Sequence, residues 1–486
     1  MAPVLHDRSV PSGPYDLIVV GGGINGTAIA RDAAARGHSV VLFEKGDLAS
    51  GTSSGSSKMI HGGIRYLERL DLLLVYESLR ERHILVRLAP HVIRPQSFIL
   101  PLYEGEGRNP RLVRFGLWLY DKLSLGRRLG RSSSLTREEV LARVPELRPE
   151  GLAGGGVYWD AVMDDARVVV LNALGAIEEG KRHGRSVLVR TRAEVTEIRK
   201  SSPNRVVVHD RLTGRTQEVL GHRVVRALGP WTAPEHLIPS KGVHIVLPAF
   251  PSTDGLLLQH STDRRVFFVI PWQGLTVVGT TETPFTGSAD SLRIEEEDIV
   301  YLLRELRRTF PKLRFGAEDI LGAFAGIRPL ARRASRRQDP LDPGVLSRNH
   351  RIIDEGSGVF SVFGGKYTTF RAIAADVVDR ALGRGRAPTH RLPLPGGESG
   401  PWLSFLREVP REAIERWGEA GIAFLYDRYG SRTLEILALC RENPELGEPL
   451  LQGLPELRAE VVYGLRREFV VYPEDFIARR TLLRFH

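Results

Sequence analysis

Between Tyr15 and Glu44 the chain reads strand, glycine turn, helix, strand and acid, and that order constrains the fold more than any other stretch. Tyr15 to Val20 is a short apolar run that predicts a buried strand. It passes into Gly21-Gly22-Gly23-Ile24-Asn25-Gly26, a G-x-G-x-x-G turn, and a small-residue helix is expected to about Arg36. Ser39 to Phe43 predicts a second strand, ending on Glu44, 18 residues beyond Gly26. In such a unit the glycines allow a tight turn and the close approach of a pyrophosphate, whose charge meets the free N–H groups at the helix start. Gly21, Gly23, Asn25 and Gly26 are therefore candidate cofactor residues. Glu44 is placed to accept hydrogen bonds from ribose hydroxyls.

The chain has 486 residues, enough for two or three domains, and its 42% hydrophobic and 26% charged content is that of an ordinary globular protein. No apolar run reaches the roughly 18 residues of a membrane-spanning helix, and Met1 to Pro14 carries no apolar signal segment. The single cysteine, Cys440, excludes an intrachain disulfide, points to a reducing compartment and reads as a small buried hydrophobe. Net charge is +10, and only eight of the 68 basic residues are Lys. That balance favours anionic partners such as phosphates or an acidic membrane surface. The charge is spread along the chain rather than gathered in one block, which argues against nucleic acid. The 14 His are scattered, with no paired cysteines and no His-x-x-x-His, so no metal site is expected.

Further along, the eight Ser, Thr and Gly residues from Ser50 to Ser57 predict a ligand-facing loop rather than a strand. Glu68 to Leu88 predicts a helix stopped before Pro90. Leu112 to Leu129 sets Phe115, Trp118 and Leu119 against Arg111, Arg114 and Lys122, a pattern that suits either a helix in a membrane interface or a packed helix with a solvated basic face. Asp164-Asp165 opens another helix with acids at its positive end. Val187 to Val219 and Lys241 to Thr281 are β-patterned, and Val224 to Leu228 predicts a strand returning to the first sheet. Ile294 to Phe310 is an amphipathic helix with acids first and Arg307 and Arg308 last. Val359 to Phe363 then meets Gly364-Gly365-Lys366-Tyr367-Thr368-Thr369, a second strand, glycine turn and helix start. Ala387 to Gly400 predicts a linker, and Pro401 to His486 a separate helical domain. Two glycine turns more than 300 residues apart suggest one cofactor gripped at both ends, which favours FAD over a nicotinamide dinucleotide.

The motifs carry a closer likeness. Gly21 to Gly26, Thr52 to Glu68 with His61-Gly62-Gly63-Ile64-Arg65-Tyr66, Lys241 to Val246, Val269 to Trp272, Gly326 to Leu330 and Ser361 to Thr369 fall in order over nearly the whole chain. In this the sequence resembles the FAD-dependent glycerol-3-phosphate dehydrogenases, and Asp427 to Gly430 and Arg479 to Thr481 are similar to that family's C-terminal cap. The resemblance implies an α/β fold: a Rossmann-like FAD-binding domain (14–80, 150–240 and 350–385), a β-rich substrate-binding domain (81–149 and 241–349) and a C-terminal helical domain (386–486). Thr52, Ser53, Ser54, Lys58, His61, Gly62, Gly229, Gly365, Lys366 and Thr368 would join Gly21, Gly23, Asn25, Gly26 and Glu44 in holding FAD. Leu228 stands where a small hydroxyl residue is common in such flavoproteins, which leaves that contact to the backbone.

The activity implied is oxidation of sn-glycerol 3-phosphate to dihydroxyacetone phosphate, with electrons passing from FAD to a membrane quinone. The protein would then be cytoplasmic, peripheral on the inner face of an anionic membrane, with a homodimer one assembly open to it. Arg65, Arg328 and Arg348 fall at the substrate positions, with Tyr66 as a neutral donor; guanidinium groups suit a phosphate dianion because they bind it bidentately. His244 is the candidate base for the carbinol proton, since a neutral imidazole titrates near pH 6.5. Lys366 would place positive charge beside the flavin or bind a substrate oxygen. An oxidase passing electrons to oxygen, and an amine or hydroxy-acid oxidase in which Arg328 binds a carboxylate, remain open alternatives, as does a non-catalytic dinucleotide-binding protein.

Overall fold

The computed structural model describes residues 8–106, 109–232, 235, 237–250, 252–331 and 350–486. Its first sheet has a parallel centre running, in space, Val359–Gly364, Thr216–Arg226, Tyr15–Val20, Val40–Phe43 and Val187–Arg190. Alternation explains why Tyr15–Val20 and Val40–Phe43 read as apolar runs rather than as alternating ones. Leu17, Val19, Val40 and Leu42 face the helices Ile24–Ala35, Asp165–Arg182 and Phe370–Leu382. Ile18, Val41 and Phe43 face the antiparallel strands Ala193–Arg199 and Asn204–Asp210 on the other side. With both faces covered, the stretches 17–20 and 40–43 are apolar at every position.

The second sheet is mainly antiparallel and runs through Leu237–Pro248, Leu275–Gly279, Val266–Trp272, Gly255–Gln259, Ile93–Tyr103 and Leu152–Met163 to Met59–Ile60, with Gly322–Ala331 also paired to Leu237–Pro248. Met59–Ile60 and Leu152–Met163 thus lie in the second sheet, although the sequence groups both with the first domain. Helix Glu296–Thr309 covers one face and helices Leu72–Leu88 and Pro110–Leu123 pack against the other. The first of these begins on reciprocal bonds, the Glu295 amide donating to Asp298 at 3.1 Å, and Lys241 clamps both acids at 2.6 and 2.8 Å.

The C-terminal helices, among them Arg411–Tyr429, Thr433–Glu442, Arg458–Arg467 and Pro473–Arg479, dock on the first domain through buried ion pairs. Arg167 meets Glu468 at 2.7 Å and Arg480 meets Asp47 at 2.8 Å. The stretch expected as a linker is pinned too: Arg31 donates to the carbonyls of Leu392 and Pro393. At this seam His91 is fully buried, edge-on to Tyr426, with neither ring nitrogen hydrogen-bonded among the described residues.

Burial, aided by Arg167 and Arg94, pushes the His91 pKa down to about 3. Below about pH 6.5 the unfolded chain therefore binds a proton that the folded chain refuses. The stability contributed by a neutral His91 is complete above that pH and is lost as pH falls toward 3. The slope from this one group is about 1.4 kcal/mol per pH unit. His91→Leu should lower the loss in unfolding temperature between pH 7 and pH 5; an unchanged difference would remove His91 as its source.

Candidate active site

The glycine turn closes because Gly26 has no side chain: a Cβ there would lie 1.9 Å from the Gly21 carbonyl oxygen. Helix Ile24–Ala35 lacks a capping side chain of its own, and the free amide of Ile24 instead donates to the Ser53 hydroxyl at 3.0 Å. Glu44, at the end of the second strand, accepts from the amides of Gly22 at 2.6 Å and Gly46 at 2.7 Å. Burial raises its pKa, and those two amides work against the rise. One cleft is lined by Gly21, Gly23, Glu44, Thr52, Ser53, Leu228 and Gly229. Asn25 is half-buried in the first helical turn beside it.

From this cleft the Ser50–Ser57 loop leads to the second sheet. Thr52 donates to the Ile327 carbonyl at 2.7 Å, Ser56 to Asp165 at 2.6 Å, and the Ser57 hydroxyl sits 2.9 Å from His244 Nε2. Strand register assembles what lies opposite. Ser240 pairs with Arg328, Gly242 with Gly326 and His244 with Phe324, so the two-residue repeat brings Arg328, Phe324 and His244 to one face. The glycine pair between them leaves room. A Cβ at Gly242 would meet the Arg328 Nη2 at 2.8 Å, and one at Gly326 would meet the Gly55 carbonyl oxygen at 2.6 Å.

A pocket at this point is lined by Ser57, His61, Arg65, Tyr66, Arg265, Thr280, Glu282 and Arg328. Arg328 donates to the Thr280 hydroxyl at 2.9 Å and stands 3.7 Å from Glu282. Arg265 donates to the Glu282 carbonyl. Lys366, from the second glycine turn, is buried with Nζ 3.8 Å above the Tyr66 ring and donates to Ser78 at 3.1 Å. His244 is 2% exposed and stacks on Phe324 at 4.9 Å. Burial, with Arg328 and Lys58 adding to it, holds its pKa well below 6.5, so the ring is neutral at physiological pH.

The structure therefore gathers the sequence candidates into two connected groups. Gly21, Gly23, Glu44, Thr52, Ser53 and Gly229 line the first cleft, with Asn25 and Gly26 in the turn and helix start beside it; Arg65, Tyr66 and Arg328 line the second pocket, with His244 behind Ser57 and Lys366 behind Tyr66. Thr368 holds His61 at the wall of the second pocket, accepting from the His61 amide at 3.1 Å and donating to its carbonyl at 3.2 Å, while Gly62 donates to Asp160 at 2.9 Å. Gly365 precedes Lys366 with φ +85°. Lys58 has another partner: its ammonium is bound to Asp165 at 2.6 Å and to the Ser54 carbonyl at 2.8 Å, fully buried. Arg348 lies outside the described residues. Sequence reading missed Ser57, Arg265, Thr280 and Glu282. Arg265 opens a β-patterned run and Thr280-Thr281-Glu282 ends another, the one signal that could have marked them.

Comparison with known proteins decides the family. The family model for FAD dependent oxidoreductases matches residues 16–378, and that for the C-terminal domain of alpha-glycerophosphate oxidase matches 387–486. Glycerol-3-phosphate dehydrogenase of Synechocystis sp. is 33% identical, with 96% of this chain and 89% of the relative covered. The chain belongs to the FAD-dependent glycerol-3-phosphate dehydrogenase family. D-erythritol 1-phosphate dehydrogenase of Brucella abortus is 36% identical, with 97% and 95% covered. The crystal structure of the glycerol-3-phosphate dehydrogenase from Bacillus halodurans complexed with FAD superposes with a TM-score of 0.77 at 30% identity, covering 98% of this chain and 87% of that one.

FAD is the family's cofactor, and the residues of the first cleft fit it: the Gly21–Gly26 cradle would be filled by any Cβ at Gly26, and the Glu44 carboxylate stands at its rim. Gly26→Ala should force the helix off the turn at an overpacking cost of about 1–3 kcal/mol. The purified variant should carry at least tenfold less flavin by its absorbance ratio while its circular dichroism stays near wild type. Full flavin content would clear Gly26 of the role.

Proposed function

We propose that the protein oxidises the carbinol of a short polyol phosphate, sn-glycerol 3-phosphate first among the candidates, to the keto phosphate, and passes the electrons to a membrane quinone. The observation that carries this reading is the convergence of Arg65, Arg265 and Arg328 on one pocket, with Lys366 against its Tyr66 wall. A phosphate dianion needs charged donors, and guanidinium supplies them in pairs. The relative named for D-erythritol 1-phosphate supports a class of polyol phosphates rather than a single compound.

FAD, when bound, supplies the two-electron acceptor for hydride leaving the carbinol carbon. The chain does the rest. Arg65 and Arg328 hold the phosphate and fix the carbinol, while Tyr66 adds a neutral donor. His244, kept neutral by burial and by the nearby cations, takes the hydroxyl proton, and Ser57 at 2.9 Å orients its ring. Lys366 contributes positive charge where electron density accumulates.

Two results test the chemistry. Sn-glycerol 3-phosphate added without oxygen should bleach the flavin band near 450 nm, an expectation of flavin chemistry; retained colour would sink the reading. Arg328→Ala should lower kcat/KM at least tenfold, because losing a charged hydrogen bond in a closed site costs about 1.5–3 kcal/mol. An unchanged kcat/KM would exclude Arg328 from the site. The match of 387–486 to a domain named for an oxidase is the observation on the side of oxygen as acceptor. Stoichiometric peroxide at turnover rates would establish that reading instead of the quinone.

Support for membrane delivery comes from the surface. Leu112, Phe115 and Trp118 of helix Pro110–Leu123 are 64%, 55% and 53% exposed, and Leu70 and Leu73 nearby are 78% and 83% exposed. Arg111, Arg114 and Lys122 flank them on the same helix, all exposed. Contiguous apolar exposure rimmed by cations suits anionic headgroups with the apolar side chains buried below them. No helix among the described residues is long and apolar enough to cross a membrane. Phe115→Ser with Trp118→Ser should cut sedimentation with phosphatidylglycerol vesicles about tenfold or more and leave turnover with a soluble dye unchanged. Equal sedimentation of variant and wild type would reject this face.

A further inference from the structure

We propose that Glu282 reads the free hydroxyl of the polyol phosphate and so decides which way round the substrate lies across Arg328. This rests on the polyol-phosphate reading above. Among the described residues, the pocket lining holds two carboxylates, Asp160 and Glu282. Asp160 is fully buried and structural: it accepts from Arg82 at 2.6 Å, Tyr120 at 2.7 Å and the Gly62 amide at 2.9 Å. Glu282 is different in kind. It stands at the pocket wall with a side chain 13% exposed, 3.7 Å from Arg328, and its carbonyl accepts from Arg265.

A carboxylate is an odd neighbour for a phosphate. Two anions a few ångströms apart in a partly desolvated pocket repel, so the phosphate is driven toward Arg65 and away from the Glu282 side of Arg328. A hydroxyl at the same place is attracted, because it donates a charge-assisted hydrogen bond to the carboxylate. One acid among several cations therefore sorts the two ends of a molecule that carries a phosphate at one end and a hydroxyl at the other. The geometry also ties this to the reacting group. Arg328 is fixed by Thr280 at 2.9 Å and flanked by Glu282 two residues on, with the Gly242 backbone pressed behind it. A substrate hydroxyl on Glu282 would place the adjoining carbon against Arg328.

The test uses two substrates and the holoenzyme. Sn-glycerol 3-phosphate carries the terminal hydroxyl; 1,2-propanediol 1-phosphate of matching configuration lacks it. Wild type should prefer the first in kcat/KM by roughly ten- to a hundredfold, the worth of one hydrogen bond to a charged group. Glu282→Gln, nearly isosteric, should lower kcat/KM on glycerol phosphate at least tenfold while leaving the deoxy compound within about threefold, so that the preference collapses. An equal fall on both compounds would overturn the proposal and make Glu282 a support for Arg328, and so would no change on either. If Glu282→Gln did not bind FAD, the wild-type pair would still decide, since a protein indifferent to the missing hydroxyl cannot be reading it. Wild type that reduces its flavin with neither compound would instead sink the polyol-phosphate reading itself.

Discussion

From Ser53, which takes the Ile24 amide, to Ser57, beside the His244 ring, the chain advances four residues, and the site depends on that short tether. A span of four residues reaches at most about 14 Å. The loop thus sets the separation between the start of the dinucleotide helix and the imidazole, and four of its hydroxyls have four different partners. Ser53 caps the helix, Thr52 holds the Gly322–Ala331 strand, Ser56 meets Asp165 and Ser57 meets His244. Gly55 lies flat on Gly326 because neither has a side chain. A run of small hydroxylated residues is what such a ruler requires. Larger side chains would lift the loop off the sheet, and apolar ones would leave the Ile24 amide without its acceptor.

Arginine does two unlike jobs here, and burial tells them apart. Arg82 with Asp160, Arg167 with Glu468, Arg371 with Glu81, Arg428 with Glu460 and Arg480 with Asp47 are closed off from water at both partners. Removing one member of such a pair strands a buried charge at a cost of about 3–5 kcal/mol, so these pairs fix relative position even where their net contribution is small. The consequence reaches the site. Arg371 grips Glu81 with both ends of its guanidinium, at 2.7 and 2.5 Å, which fixes helix Phe370–Leu382 against helix Leu72–Leu88. Lys366 precedes the first of these helices and bonds to Ser78 on the second, so the clamp sets the ammonium above Tyr66. Arg65, Arg265 and Arg328 are the other kind, partly exposed and turned to a pocket.

How much of this was legible in the sequence follows from which forces act locally. The parallel strands at Tyr15–Val20 and Val40–Phe43 could be read because both faces are covered, and so could helix Glu296–Thr309 with its acids and arginines at matching ends. Strand Ile93–Tyr103 could not. It contains Pro95 and Pro101, which argue against a strand, yet only Phe98 and Ile99 are paired on both sides, so the missing amides cost little. Gly322–Ala331 hides likewise behind Gly326 and Pro329. That omission concealed the register that brings Arg328 and His244 together, and those residues were reachable through family likeness alone. Lys58 shows the converse. Its motif suggests a cofactor contact, but the acid that takes its charge, Asp165, is 107 residues away and reads in sequence as a helix-dipole residue.

The placement of His244 carries an electrostatic tension that the proposed reaction would resolve. Burial first, then Arg328 and Lys58, hold its proton affinity far below that of a free imidazole. A base so weakened accepts a hydroxyl proton poorly, and the same cations that would recruit a phosphate are part of the cause. Lys58 is already neutralised by Asp165, which leaves Arg328 as the adjustable member. A phosphate dianion beside Arg328 offsets its field at the ring, so in the proposed reaction the base strengthens when substrate arrives and stays neutral and unprotonated when it does not. The desolvation share of the shift is unaffected by the ligand and keeps the imidazole from charging in the empty pocket. Proton acceptance is then coupled to phosphate binding through Arg328 itself, without any movement of the strands that carry the two residues.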